Sequence, residues 1–346
     1  MLIVDETAPT YEKLRPLKRT VTSSFPVYHD LTSTLVGAEA HPDDTVAHVL
    51  ATAAGYAYSE AATVAMIMAR MGLEDNRCRM IGQYVDAMFI CSTSFLIQSQ
   101  DGRVAILAYR GTEPSNFVNW LTDADVYPET VSFPFSGGAS AFDVHAGFYR
   151  NVRATRFEVV AALVRALEGR SVHETGEPVP HPLEALYITG HSLGAAMAAM
   201  LAVMLITEPA YAPIAAKLRS VYTFGQPMIG TREFAAACEA TPFLARGLHR
   251  YVYRRDVVPT LPPEASGPFA HFGTEYHYDR AAPWATRPST GQMGSLVGLA
   301  ELPLAFVGRR LRAFRDVPFR YSIDDHGPQH YISALTPEGI QSEFGR

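Results

Sequence analysis

The stretch LYITGHSLGAAMAAMLAVMLI, residues 186–206, limits the fold more strongly than any other part of the sequence. A β-prone run at 186–189 leads through a glycine-flanked Ser192 directly into an alanine-rich run at 195–206. The second run is apolar on nearly every helical face, which is typical of a buried helix. A strand followed at once by a buried helix predicts a βα unit at the centre of an α/β fold.

Glycines two residues before and two residues after Ser192 form the pattern Gly-x-Ser-x-Gly. Small neighbours let a strand and a helix pack closely beneath a strained turn, which projects the serine Oγ outward. Open α/β sheets place their sites at this carboxyl end of the strands. The turn also leaves the N–H of Leu193 at the helix N-terminus, where it is available to an oxyanion. The alternative is a glycine-rich turn that carries an inert serine.

The rest of the chain alternates between strand and helix patterns, which indicates βαβ units, a mainly parallel sheet and helices on both faces. Two strands within 87–111 meet at Asp101-Gly102, a strong hairpin signal, and add an antiparallel edge. We expect one domain over residues 1–346, with an N-terminal arm at about 1–40 and an insertion at about 281–322. Helices are predicted at 45–58, 59–72, 148–169 and 231–240, and strands at 183–189, 218–225, 248–254 and 271–279. Ser59 is the expected N-cap and Gly72 the expected stop of the second helix, and 280–292 is expected to be a loop.

Charge and cysteine content exclude several classes of protein. The formal net charge of −6 gives no overall basic field for a nucleic-acid partner. The three cysteines are too few for a disulfide framework and lack zinc spacing, and Cys91, in an apolar run, is expected to be buried. The N-terminus has no signal-peptide pattern, and no run reaches the roughly 18 apolar residues of a membrane span. We therefore expect a cytoplasmic or peripherally membrane-associated protein.

A nucleophilic serine needs a general base and a carboxylate that orients the base. In α/β-hydrolases these follow the serine in the order acid, then histidine. Asp256 is the first candidate acid, because it ends a predicted strand and precedes a proline-stiffened loop. The alternatives are a salt bridge from Asp256 to Arg254 or Arg255, and Asp324 or Asp325 as the acid.

Four histidines follow Asp256 and are candidates for the base. His271 and His277 flank a predicted strand, and His330 shares the start of the last helix. His326 lies in the loop before that helix, and loop residues on a rigid scaffold are the usual carriers of catalysis. The residues alone therefore favour His326.

Seven segments, in this order, resemble the class 3 lipases, and the resemblance covers roughly residues 45–280 and 324–336. These segments are LAYRGTEPSNFVNWLTDADV, VHAGFYRNV, YITGHSLGAAMA, VYTFGQPMIGTREFA, YVYRRDVVPTLPP, HFGTEYHYD and DHGPQHYISAL. The resemblance implies the α/β-hydrolase fold. It also implies Ser192 as the nucleophile, Asp256 as the acid and His326 as the base, with Tyr331 as the aromatic residue that follows.

The resemblance further implies an oxyanion hole and a lid. The family's Arg-Gly-hydroxyl motif places one oxyanion donor at Thr112, and Leu193 supplies the second. In fungal members a short amphipathic lid follows this loop, which places Phe117, Trp120 and Leu121 over an acyl groove. The alternative is that Trp120 packs in the core, since aromatic side chains are usually buried.

Two features depart from the fungal members. The fungal proteins are secreted and carry disulfides, whereas this sequence shows neither a signal peptide nor paired cysteines. We therefore expect a bacterial-type member of the family. Within the long insertion, residues 290–318 are first apolar and then rich in arginine, a composition suited to a lid or to peripheral contact with a lipid interface. The alternative is a helical pair packed on the body of the protein, with a solvated arginine face.

Together these observations predict a carboxylic ester hydrolase that cleaves acyl-glycerol or related lipid esters, with no metal or organic cofactor. The alternatives within enzymes are a phospholipase A1 and a short-chain or aromatic esterase. The alternative from another class is a lipase-like interaction protein without catalysis. The oligomeric state is left open.

Overall fold

A computed structural model describes residues 26–38, 42–85, 90–112, 128–135, 138–279, 282–294 and 322–340. The helices are α1 (Leu31–Gly37), α2 (Asp44–Tyr56), α3 (Ala61–Met71), α4 (Ala146–Leu167), α5 (Leu193–Thr207), α6 (Ala212–Ala215), α7 (Arg232–Glu239), α8 (Pro242–Gly247) and α9 (Pro328–Leu335). The strands are β1 (Arg77–Val85), β2 (Ile90–Gln98), β3 (Val104–Tyr109), β4 (Pro128–Phe135), β5 (Gly138–His145), β6 (Ala185–His191), β7 (Leu218–Phe224), β8 (Gly230–Thr231), β9 (Leu248–Tyr253), β10 (Phe269–Ala270), β11 (Thr274–Asp279) and β12 (Ala282–Thr286).

The central sheet has eight strands in the order β1-β2-β3-β6-β7-β9-β11-β12. Pairing is parallel from β3 through β6, β7 and β9 to β11, and antiparallel at both edges. The predicted α/β-hydrolase architecture, with a mainly parallel sheet and an antiparallel edge hairpin, is therefore confirmed. Gly102 takes φ +90° in the β2–β3 turn, a conformation that favours glycine.

The edge strand β12 corrects the prediction of a loop over 280–292. Trp284 packs edge-on against Tyr251, with ring centroids 5.0 Å apart, and its Nε1–H donates to the carbonyl of Ala334 at 3.1 Å. These partners are distant in sequence, so the local pattern did not reveal the strand.

A second sheet, β10-β8-β5-β4, was not predicted. Its β4–β5 hairpin packs aromatic side chains against α7: Phe133, Phe135 and Phe142 each lie within 6.3 Å of the ring of Phe234. The sheet thus covers one flank of the core beside α5.

The α5 helix is the centre of the core, as predicted. Every residue of α5 except Ile206 is buried, between the central sheet and α4. On the other face of the sheet, α2 packs against α9, where the methylene of Gly55 faces Ile332. Helices therefore cover both faces.

Part of the expected N-terminal arm lies in the described residues. Leu31 and Leu35 of α1 are buried, and the Tyr187 hydroxyl donates to the Leu35 carbonyl at 2.6 Å. Residues 1–25 and 39–41 lie outside the described part of the chain.

Two local predictions were wrong. The N-cap of α3 is Glu60 rather than Ser59, while Gly72 ends the helix with φ +129° as expected. Cys91 is exposed rather than buried, because the alternation of β2 turns Ser92 to the interior in its place.

In the described part of the chain, no single helix is both long and apolar enough to cross a bilayer. One pair, α5 with 209–215, satisfies these criteria only jointly and is bent by 96°.

Buried histidines give a prediction for acid stability. Burial lowers the pKa of His48 to about 4 and that of His145 to about 3, from 6.5. The native state holds them neutral, whereas the unfolded chain takes up protons below pH 6.5, so stability falls as pH drops from 6.5 toward 4. We expect the free energy of unfolding to fall by about 1.4 kcal/mol per pH unit for each such histidine.

Urea unfolding between pH 7.5 and 4.5 measures this slope. His48→Gln is expected to reduce the slope, because it removes one of these buried histidines. An identical slope in wild type and His48→Gln would contradict the assignment.

Candidate active site

The turn between β6 and α5 has the strained geometry expected of a nucleophile elbow. Ser192 takes φ +61° and ψ −129°, and its N–H donates to the Phe224 carbonyl at 3.0 Å. A Cβ on Gly190 would lie 2.2 Å from the Gly194 carbonyl oxygen, and a Cβ on Gly194 would lie 2.3 Å from that of Tyr109. Both glycines are therefore needed for strand and helix to pack this closely.

The side chain of Ser192 is held inside this site. The residue is 1% exposed, and among the described residues its Oγ has no hydrogen-bond partner. A buried hydroxyl without a partner is uncommon in folded proteins and is typical of a functional position.

Asp256 lies three residues beyond the end of β9, with its carboxylate buried. Oδ1 accepts the Val258 N–H at 2.9 Å, and Oδ2 accepts the Tyr331 hydroxyl at 2.5 Å. Oδ2 also lies 2.8 Å from Nδ1 of His326. These three donors stabilise the charged carboxylate and fix its orientation.

Within the described residues, Asp256 forms an ion pair with His326. The neighbouring Asp325 accepts the Arg255 N–H at 3.2 Å.

The structure brings His326, rather than the other three candidate histidines, to Asp256. His326 lies in the 3₁₀ turn Asp324–His326 and is 8% exposed. His271 is bonded through Nε2 to the Pro259 carbonyl at 2.8 Å, and His330 stacks on the ring of Tyr253. His277 is part of β11.

Gly225 joins the serine elbow to the acid and the base. It follows Phe224, which accepts the Ser192 N–H, and it takes φ +59°. A Cβ there would lie 2.7 Å from Oδ2 of Asp256 and 2.8 Å from Nδ1 of His326. The sequence analysis missed this residue, although a glycine at the end of the strand VYTFG was the available signal.

The predicted oxyanion residues lie on two elements beside the elbow. Leu193 is the first residue of α5, so its N–H belongs to the first turn, where the helix ladder leaves donors unused. Thr112 is half-buried and follows Gly111, whose Cβ position lies 2.5 Å from the carbonyl oxygen of His191. The loop before Thr112 therefore packs directly on the elbow.

The predicted lid residues Phe117, Trp120 and Leu121 lie outside the described residues, as do 295–321 of the insertion.

Both described ends of the insertion attach to the loop that carries the acid. On one side, the N–H of Met293 donates to the Thr260 carbonyl at 2.9 Å. On the other, the N–H of Ser322 donates to the Arg255 carbonyl at 2.8 Å. The insertion thus leaves and rejoins the described fold within a few residues of Asp256.

A buried ion pair holds the first of these ends. Arg250 and Glu275 are 1% and 2% exposed and meet at 2.9 Å. Glu275 also accepts the N–H and the hydroxyl of Thr290, both at 2.8 Å. Arg250 also donates to the Ser289 hydroxyl at 2.7 Å, so the pair ties 289–290 to β9 and β11.

Comparisons with known proteins find similarity to lipases. Residues 106–266 match the family model described as lipase (class 3). A triacylglycerol lipase OBL1 of Ricinus communis is 27% identical over 217 residues, covering 54% of this chain and 40% of its own length. A lipase of Rhizopus niveus is 32% identical over 190 residues, covering 53% of this chain and 41% of its own. A phospholipase A1-II 7 of Oryza sativa subsp. indica is 30% identical over 176 residues, covering 46% and 42%.

Solved structures support the fold. Lipase II from Rhizopus niveus has a TM-score of 0.53 at 24% identity, covering 82% of this chain and 92% of that one. The Rhizomucor miehei lipase propeptide complex has a TM-score of 0.53 at 21% identity, covering 88% and 82%.

The chain spans about two fifths of the length of the curated relatives it matches. These relatives come from plants and fungi, so they give no support to a bacterial-type member. The segment 106–266, which carries Thr112, Ser192 and Asp256, is similar to the class 3 lipase family.

Proposed function

We propose that this protein is a serine ester hydrolase of the lipase type, acting on acyl-glycerol or related lipid esters. The observation that carries the proposal is the 2.8 Å contact of Asp256 Oδ2 with His326 Nδ1, beside the elbow of Ser192. An ionised carboxylate only accepts hydrogen bonds, so Nδ1 carries the proton and Nε2 is left as the basic nitrogen.

In the first half of the reaction, Ser192 Oγ attacks the ester carbonyl carbon while His326 Nε2 takes the hydroxyl proton. The carbonyl oxygen becomes an oxyanion, for which Leu193 and Thr112 supply the donors. The carbon–oxygen bond to the alcohol then breaks, and the imidazolium returns its proton to the leaving alcohol. The product is an acyl ester on Ser192.

In the second half, His326 takes a proton from water, and the resulting hydroxide equivalent attacks the acyl ester. Collapse of this second tetrahedral species releases the carboxylic acid and returns the proton to Ser192. Asp256 stays ionised throughout and stabilises the imidazolium.

Tyr331 donates a hydrogen bond that stabilises the carboxylate of Asp256. Burial, followed by the nearby Asp256 charge, raises the pKa of Tyr331 well above 10. Its hydroxyl therefore stays protonated and donates to Asp256 across the neutral pH range. The hydroxyl also accepts the Tyr253 N–H at 3.1 Å, so β9 positions the donor.

Two alternative substrates have support of different kinds. The phospholipase A1 relative favours a phospholipid ester as the alternative to a glyceride. A short-chain or aromatic ester uses the same chemistry. A panel of tributyrin, triolein, monoolein, phosphatidylcholine and p-nitrophenyl esters ranks them. A non-catalytic interaction protein is disfavoured by the intact contact between Asp256 and His326.

The insertion is proposed as the part of the protein that meets lipid. Both of its described ends attach beside Asp256, and residues 290–318 carry an apolar stretch followed by Arg309, Arg310, Arg312 and Arg315. Arginines of this kind reach anionic headgroups while an apolar neighbour enters the interface.

The nucleophile is tested by Ser192→Ala. This variant is expected to lose hydrolysis of p-nitrophenyl butyrate by at least about 10³-fold, because only the oxyanion donors and binding remain. A fluorophosphonate probe should label wild type and leave the variant unlabelled. Hydrolysis or labelling retained near the wild-type level in a folded variant would refute the mechanism.

The contact at Gly225 is tested by Gly225→Ala. The added methyl displaces Asp256 or His326, so kcat is expected to fall about 100-fold. Gly169→Ala is a matched control, since Gly169 also has a positive φ, +69°, while its Cβ position has 3.7 Å of clearance. Both variants are expected to lose about 1–2 kcal/mol of stability from the left-handed backbone. Equal activity in the two variants would show that Gly225 serves only the backbone.

The role of the insertion is tested by replacing 296–318 with a short glycine-serine linker, which retains the contacts of Met293 and Ser322. Activity on triolein emulsions is expected to fall at least about tenfold more than activity on soluble p-nitrophenyl butyrate. Replacing the four arginines with glutamine isolates the charge contribution. Equal losses on both substrates would contradict an interfacial role.

A further inference from the structure

Two tyrosine–histidine pairs in this protein, one buried and one part-buried, have almost the same geometry. Tyr58 Oη lies 2.8 Å from Nδ1 of His191, with ring centroids 5.9 Å apart. Tyr28 Oη lies 2.9 Å from Nδ1 of His48, with ring centroids 6.0 Å apart. The second pair joins the chain before α1 to α2, whereas the first lies against the candidate active site.

The hydrogen bonds of His191 fix its tautomer. Nε2 lies 2.6 Å from the carbonyl oxygen of His326. A carbonyl only accepts, so Nε2 carries the proton, and Nδ1 accepts the hydroxyl proton of Tyr58. Burial lowers the pKa of His191 well below 6.5, which keeps the ring neutral in this tautomer.

His191 therefore holds His326 from the side opposite the acid. Asp256 binds the ring of His326 at Nδ1, and His191 binds its backbone carbonyl. The two imidazole rings are also in contact and tilted relative to each other, with centroids 4.4 Å apart and planes inclined by 33°. His191 precedes Ser192, so this bond connects the base directly to the elbow.

The same pair contacts the oxyanion loop. The Cβ position of Gly111 lies 2.1 Å from Tyr58 Oη and 2.5 Å from the His191 carbonyl oxygen. Any larger side chain would displace them, so Gly111 fixes the start of the Thr112 loop against the pair. The Tyr58–His191 pair thus contacts the base, the serine elbow and the oxyanion loop.

We infer that Tyr58 and His191 are positioning residues that set the distance between His326, Ser192 and the Thr112 loop. The inference rests on the proposed function, because positioning has a measurable effect only if the reaction occurs. It is physically reasonable because displacement of a reacting group by about 1 Å lowers rates about 100-fold. His326 lies on a short 3₁₀ turn, and the His191 bond restrains its backbone from the strand side.

The test compares Tyr58→Phe with Tyr28→Phe. Each variant removes one hydroxyl from a tyrosine–histidine pair of nearly the same geometry, and urea unfolding of both variants measures the stability that each loses. With p-nitrophenyl butyrate, Tyr58→Phe is expected to lower kcat about tenfold with KM changed less than about twofold. Tyr28→Phe is expected to keep the wild-type kcat. Equal kcat in the two variants would overturn the inference.

His191 is tested with two replacements of different chemistry. His191→Phe keeps a planar ring and removes both bonds, and it is expected to lower kcat about 100-fold. His191→Gln offers an amide N–H to the His326 carbonyl and should recover at least about tenfold of that loss. No recovery by glutamine relative to phenylalanine would overturn the role of the His326 bond. If His191→Phe does not fold, the comparison of the two tyrosine variants decides.

Failure of the proposed function can be distinguished from failure of the positioning role. A wild-type protein that neither hydrolyses esters nor reacts with the fluorophosphonate probe would refute the enzyme proposal and the positioning role together. An active wild type with an unaltered Tyr58→Phe variant would refute the positioning role alone.

Discussion

The close approach of β6 and α5 is the constraint on which the rest of the structure depends. Gly190, Gly194 and the strained Ser192 allow the helix to begin directly at the end of the strand. Because α5 is buried along almost its whole length, it cannot shift to relieve the turn. The strain is held by packing of the whole core, which explains why a residue with φ +61° is stable at this position.

Around that fixed point the candidate active site is assembled from the ends of two strands and from the turn before α9. Asp256 follows β9, Gly225 follows β7 and His326 precedes α9. A buried carboxylate is unfavourable unless it is bonded, and Asp256 accepts the Val258 N–H, the Tyr331 hydroxyl and the His326 ring. Loss of these hydrogen bonds, or of the sheet that positions them, would leave the buried charge of Asp256 without partners. The hydrogen-bond network and the sheet therefore stabilise the same geometry.

The sequence was sufficient for the parts of the protein that are encoded locally. The strand–serine–helix pattern, the parallel sheet and the hairpin at Asp101-Gly102 all follow from short-range periodicity and turn chemistry. The order of serine, acid and histidine narrowed the site to a few residues, and the family resemblance selected among them. The sequence could not reveal β12, whose strand depends on Trp284 meeting Tyr251 and the Ala334 carbonyl. Nor could it reveal Gly225 or the contact of Tyr58 with His191, which are 133 positions apart.

The insertion leaves and rejoins the described fold at neighbouring points, and this affects how freely its sequence can vary. Met293 and Ser322 are bonded to carbonyls only five positions apart, at Thr260 and Arg255. When a segment departs and returns at neighbouring points, its length changes the closure entropy only slowly, by about 0.6 kcal/mol per doubling. The intervening residues can therefore be exchanged as a module while the acid stays in place. Sequence variation in such a segment can therefore accumulate without strain on the sheet.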